Sequence, residues 1–134
     1  MKRKLVLLIA VCAFVPALFA QSEKRVALVI GHADYQYVKA LDNPANDAND
    51  MAASLSELGF SVTKLVNADF ASMEKARRDF ASDAQGAQLR LFYYAGHGVQ
   101  SEGNNWLLPV DADVKEDYEL KTKAFLAQSL LDGL

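Results

Sequence analysis

Three short, largely apolar runs constrain this chain more than any other feature: residues 26–30, 60–66 and 89–95. Val26-Ala27-Leu28-Val29-Ile30 has no polar position at all and stops at Gly31. A run of that length and composition reads as a strand buried on both faces, the kind found in parallel sheets. Helical patterns separate the runs. Asn43 is placed to cap a first helix with Pro44 at its first position, where a missing N–H costs nothing. Ala48, Met51, Ala52, Leu55 and Leu58 then form one stripe, and Gly59 stops it. Asp69 is placed to cap a second helix, with Phe70, Met73, Ala76 and Phe80 inside, Lys75, Arg77 and Arg78 outside, and Gly86 at its end. Residues 106–110 read as a short extended piece and residues 111–118 as an acidic loop. From Thr122 the pattern turns helical again, through Phe125, Leu126, Leu130 and Leu134. This alternation predicts an α/β fold with a mainly parallel sheet and helices on both faces. Sites in such sheets sit at the carboxyl ends of the strands, here Gly31-His32 and Gly96-His97-Gly98.

The first twenty residues read as an address. Lys2, Arg3 and Lys4 precede an uncharged apolar stretch that ends at Ala17-Leu18-Phe19-Ala20, the order of a secretory signal peptide. The stretch falls short of the roughly 20 apolar residues that a spanning helix needs. The expectation is export to the periplasm or beyond, with no stable membrane anchor after cleavage. A cut after Ala20 leaves residues 21–134 as one domain of 114 residues with eleven basic and seventeen acidic side chains, a net charge of −6. Such a surface repels phosphate backbones and argues against a nucleic-acid partner. The only cysteine, Cys12, lies in the apolar stretch of the leader, so the mature chain has no thiol.

The most informative stretch is Tyr93-Tyr94-Ala95-Gly96-His97-Gly98-Val99-Gln100. A buried strand delivers a histidine between two glycines at the functional rim of the sheet. The imidazole can work as base or acid near neutral pH, and an adjacent glycine N–H can hold a developing oxyanion. Four further blocks stand in order around it. They are residues 25–31, Leu41-Asp42-Asn43-Pro44-Ala45-Asn46-Asp47-Ala48, Leu58-Gly59-Phe60-Ser61-Val62, and Asn105-Trp106-Leu107-Leu108-Pro109-Val110-Asp111. Together they resemble the caspase-like cysteine peptidases of the caspase and metacaspase type, over roughly residues 25–134. The resemblance implies a three-layer α/β sandwich, a peptide or protein substrate, and cysteine-dependent hydrolysis with no cofactor. It implies that His97 is the catalytic histidine and that Gly98 contributes an oxyanion-hole N–H. It places Asp47 where metacaspases have an acid lining the pocket for the residue before the cut, which would favour Arg or Lys. A first-turn acid favoured by the helix dipole is an equal reading of Asp47. Ala95 stands where some metacaspases have a serine in that pocket. His32 stands where many relatives have asparagine and reads as a polar loop residue. Trp106 reads as core or pocket wall.

The pattern departs from the family at one point. The family's nucleophilic cysteine follows the third helix at the end of a further strand, and residues 21–134 contain no cysteine. Without a thiolate the attack cannot occur. Three explanations stay open: a fragment that ends before the nucleophile-bearing strand, a non-catalytic peptide-binding or interaction module, or a half completed by a second polypeptide. The first predicts a C-terminal remainder as partner, and an apolar sheet edge left uncovered. Asp111, Asp113, Glu116, Asp117 and Glu119 lack the regular spacing of a calcium loop, so no metal is expected. Gly31 lacks the further glycines of a dinucleotide turn.

Overall fold

The computed structural model describes residues 23–131. The predicted leader, Cys12 and Leu134 lie outside them. Strand β1 (Arg25–Gly31) is followed by helix α1 (Pro44–Glu57), β2 (Ser61–Val66), α2 (Phe70–Asp83) and β3 (Leu89–Ala95). A hairpin of β4 (Gly98–Ser101) and β5 (Asn104–Leu107) comes next, then a 3-10 turn (Asp117–Glu119), α3 (Leu120–Lys123), β6 (Phe125–Leu126) and α4 (Ala127–Leu131). The main sheet has the order β2-β1-β3 and both pairings are parallel, with Val29 opposite Lys64 on one side and Tyr93 on the other.

The central strand β1 shows why its composition is uninterrupted. Successive side chains point to opposite faces. Val26, Leu28 and Ile30 pack with Met73, Ala76 and Phe80 of α2. Ala27 and Val29 pack with Ala48, Ala52 and Leu55 of α1. Helices therefore cover both faces, giving the α/β three-layer sandwich with a mainly parallel sheet. Leu28, Val29 and Ile30 are wholly buried, and each such side chain contributes roughly 1.5–3 kcal/mol of burial free energy.

The helix starts follow the sequence with one difference. Asp69 caps α2 through its side chain, which accepts from Ser72 N–H at 2.8 Å. Asp111 adds a second carboxylate there, accepting from Phe70 N–H at 2.9 Å. Asn43 holds the N-cap position of α1 with Pro44 next to it, but its side chain makes no capping bond, because its backbone is already helical at φ −107° and ψ −24°. Leu58, predicted to lie on the inner stripe, is the C-cap of α1 and 61% exposed, since the chain leaves the helix there.

The larger correction lies after residue 97. Of the extended piece predicted over residues 106–110 only Trp106 and Leu107 are strand, as the end of a hairpin that begins at Gly98, and the helix predicted from Thr122 is broken. Helix α3 ends at Lys123, and Phe125 and Leu126 pair antiparallel with Leu107 and Trp106. Burial decides this. Phe125 is 5% exposed and its ring stacks on Phe70 at 4.6 Å, an anchor that a continuous helix from Thr122 would not offer. The hairpin and β6 form a second sheet in the order β4-β5-β6.

Candidate active site

Gly31 and Ala95 are paired at the carboxyl ends of β1 and β3, so the two histidine-bearing turns leave the sheet side by side. The loop after β1 is pinned at its start. Asn67, with φ +52°, turns its side chain onto this loop and accepts from Ala33 N–H at 2.8 Å and Asp34 N–H at 3.1 Å, while Nδ2 donates to Asp34 at 2.6 Å. Asparagine tolerates that left-handed backbone better than most residues. The Ala33 carbonyl then accepts from Tyr35 and Leu41 N–H, closing the loop over residues 33–41.

His97 is half-buried and held at three points. Its N–H donates to Tyr35 Oη at 2.7 Å, and its carbonyl accepts from Tyr94 Oη–H at 2.7 Å and from Leu108 N–H at 3.1 Å. Its Nε2 lies 2.7 Å from the Lys39 carbonyl. A carbonyl only accepts, so Nε2 carries the hydrogen and, in the neutral ring, Nδ1 carries the lone pair. Among the described residues no group engages Nδ1. The imidazole is thus oriented as a base with one nitrogen free to act.

Gly98 supplies the complementary element. The bond from Leu108 N–H to His97 O makes Gly98 and Leu107 a non-hydrogen-bonded pair of the antiparallel ladder, so the Gly98 N–H points away from β5. An N–H donor and a basic nitrogen therefore stand on adjacent residues. Together they can take a proton and hold an oxyanion.

Asp47 lies in the first turn of α1, exposed, with no ion pair among the described residues. The first turn of α1 packs onto the carboxyl end of β1, because an added Cβ on Gly31 would lie 2.3 Å from Pro44 O. Asp47 stands between Pro44 and Ala48, the two residues that an added Cβ on Gly31 would meet, in that turn. Ala95 closes β3, half-buried, and its carbonyl accepts from His32 N–H at 2.8 Å. Trp106 packs beside Leu108 and Leu120 and walls a small cavity of about 90 Å3 with Ser101, Asp117 and Lys121, consistent with its core-or-wall reading. A cleft of about 500 Å3 opens at the end of β2 and is lined by Lys64, Asn67, Asp69 and Ser72, without His97. In the acidic loop Glu119 is committed to the fold. Its carboxylate accepts from Lys123 and from the N–H groups of Lys115 and Glu116, which holds its pKa down at about 2.

His32 is a polar residue of the loop after β1, as read, but it is wholly buried. It sits edge-on to Tyr94, with ring centroids 5.7 Å apart. Its Nδ1 lies 3.0 Å from the Leu108 carbonyl, so Nδ1 bears the hydrogen, and Nε2 is buried with no partner among the described residues. Burial lowers its pKa below the usual 6.5, against the weaker opposing pull of the Leu108 carbonyl and Asp111. A depressed imidazole pKa means that the folded state binds fewer protons than the unfolded chain. The stability from His32 is therefore full above about pH 6.5 and falls as the pH drops below it, by at most about 1.4 kcal/mol per pH unit. Thermal melts from neutral to mildly acidic pH should show this slope in the wild type and lose it in His32→Asn.

Sequence reasoning missed the groups that hold His97, which are Tyr35, Tyr94 and the Lys39 carbonyl, and Asn67, which pins the loop carrying Tyr35 and Lys39. Only the two tyrosines carried a signal, as polar-tipped rings in a loop and a buried strand.

Comparison with known proteins follows this geometry. The Caspase domain family (Peptidase_C14) matches residues 24–134. Mucosa-associated lymphoid tissue lymphoma translocation protein 1 of Homo sapiens is 33% identical over 91 residues, covering 68% of this chain and 11% of that protein. Its Mus musculus homolog matches with the same identity and coverage. The chain thus spans about a tenth of the curated relatives it matches. Among solved structures, protein GSU0716 from Geobacter sulfurreducens superposes with a TM-score of 0.61 at 22% identity, covering 83% of this chain and 44% of that one, a likeness of fold.

Proposed function

The chain belongs to the caspase-domain peptidase family, and from that premise we propose that it forms the histidine-bearing part of a cysteine endopeptidase site. The observation that carries this reading is the His97 constellation: Nε2–H on the Lys39 carbonyl, Nδ1 open, and the Gly98 N–H beside it. In this reading His97 Nδ1 takes the proton of a cysteine thiol. The thiolate attacks the scissile carbonyl, and the Gly98 N–H holds the oxyanion. His97 then returns the proton to the leaving amine, and water releases the acyl group.

The thiol must come from outside residues 21–134, which hold no cysteine. We place it on a segment that follows in sequence and docks along the second edge of β3. Among the described residues that edge has no partner, while His97 emerges at its carboxyl end. Residues 2–20 support export of the product by their basic-then-apolar order.

Asp47 supports a preference for Arg or Lys before the cut. An exposed carboxylate free of an ion pair among the described residues can pair with a cationic side chain and discriminate against an anionic one. With the protein expressed together with the coding sequence that follows residue 134, fluorogenic peptides ending in Arg or Lys should be cleaved and those ending in Asp should not. Asp47→Asn should lower kcat/KM for Arg peptides on the order of 10- to 100-fold, the worth of one charge-assisted hydrogen bond. Cleavage after Asp would refute the assignment. The lack of a thiol in residues 21–134 favours a second reading, a peptide-binding module. Arg-peptide binding without turnover, with or without added chain, would select it.

A further inference from the structure

The His97 turn rests on two tyrosines from different elements, one in the loop after β1 and one in β3. Tyr35 Oη accepts from His97 N–H at 2.7 Å, and Tyr94 Oη lies 2.7 Å from His97 O and 3.0 Å from Leu108 O. The two hydroxyls are 3.2 Å apart. The polarity of this chain is forced. Both carbonyls can only accept, so the Tyr94 hydrogen goes to them, and the Tyr35 hydrogen must go to Tyr94 Oη. His97 N–H, Tyr35, Tyr94 and His97 O thereby close a ring of hydrogen bonds around a single residue, holding the peptide on each side of it.

Gly96 fits the same device. An added Cβ there would lie 2.5 Å from Tyr35 Oη and 2.8 Å from Tyr94 Oη. The space that a side chain before His97 would fill is taken by the two hydroxyls. The Tyr35 ring also lies against the His97 imidazole, with centroids 4.7 Å apart. Its loop further supplies the Lys39 carbonyl that holds Nε2.

We propose that Tyr35 and Tyr94 form a positioning pair that fixes the backbone of His97, and with it the Nε2–H tautomer that leaves Nδ1 free. This rests on the proposed role of His97 and deepens it: the base is set through its own backbone as well as through its ring. Burial raises the pKa of both phenols, so both hydroxyl hydrogens stay in place at neutral pH.

The chain has only two histidines, so its imidazole nitrogens can be read individually by nitrogen-15 NMR on the full chain. In the wild type His97 should show a single tautomer protonated at Nε2. In Tyr35→Phe that signature should be lost to averaging between the two tautomers, while the His32 pattern, protonated at Nδ1, stays unchanged and reports an intact core. A His97 that keeps its single tautomer in Tyr35→Phe would overturn the proposal. A second readout needs no variant. The Tyr35 hydroxyl proton of the wild type should exchange slowly and give a cross-peak to the His97 amide. A hydroxyl that exchanges freely would equally overturn it. Neither readout uses peptide hydrolysis, so a failed pair leaves the role of His97 standing, and an inactive peptidase leaves the pair standing.

Discussion

Replacing His97 by alanine should lower kcat/KM of the completed peptidase roughly 100- to 10,000-fold, the usual contribution of a positioned general base. The expectation follows from how little else can do its work. Among the described residues the only other imidazole is His32, which is wholly buried and points its hydrogen-bearing nitrogen at the Leu108 carbonyl. The substitution should be clean. His97 is half-buried, and its backbone bonds to Tyr35, Tyr94 and Leu108 survive in alanine. The loss is one hydrogen bond to Lys39, worth about 0.5–1.5 kcal/mol of stability, and the contact of the imidazole with the Tyr35 ring. A large kinetic loss with a nearly unchanged melting temperature is therefore the expected pair of results. Equal losses in both would assign His97 a structural role.

Gly31→Ala should be the most damaging single methyl in the domain. The new Cβ would lie 2.3 Å from Pro44 O and 2.6 Å from Ala48 Cβ. Neither neighbour can rotate away, because one is backbone and the other a side chain of a single carbon. The start of α1 would have to lift from the end of β1, moving Asp47 and straining the loop that carries Tyr35 and Lys39. Overpacking of this kind costs about 3 kcal/mol, a large share of the roughly 5–15 kcal/mol that holds a domain together. The melting temperature should fall by about 10–20 °C. Gly59→Ala is the contrast. Nothing lies within 4 Å of its added Cβ, and only its φ of +82° opposes the change. That cost is about 1 kcal/mol, so the two variants separate crowding from conformation.

The parallel sheet was legible because β1 is buried on both faces and so must be apolar at every position. The same logic made α1 and α2 legible, since Ala48, Ala52 and Leu55 and then Met73, Ala76 and Phe80 recur at helical spacing. The second half was harder. Residues 120–131 mix a four-residue helix, a two-residue strand and another short helix. Elements that short have no period to detect, and the strand forms only because β5 offers an edge and Phe70 offers a ring to Phe125. The site divides the same way. His97 and Gly98 stood out because glycine, histidine and glycine at a strand end is an unusual local arrangement. The groups that orient them are a backbone carbonyl at Lys39 and hydroxyls from Tyr35 and Tyr94, dozens of residues apart. A backbone carbonyl has no sequence signature at all. The burial of His32 was not legible for a related reason: its neighbours in sequence are loop residues, while the groups packed on it include Tyr94 and the Leu108 carbonyl.

The most direct test of the assembled site is covalent labelling by an arginyl acyloxymethyl ketone, which requires a cysteine thiolate, a working base and a pocket for a cation at once. The protein is expressed with the coding sequence that follows residue 134. The prediction is one label on a cysteine in that following segment, abolished by His97→Ala and weakened by Asp47→Asn. Undiminished labelling in His97→Ala, or no labelling of a folded product that contains such a cysteine, would contradict the account.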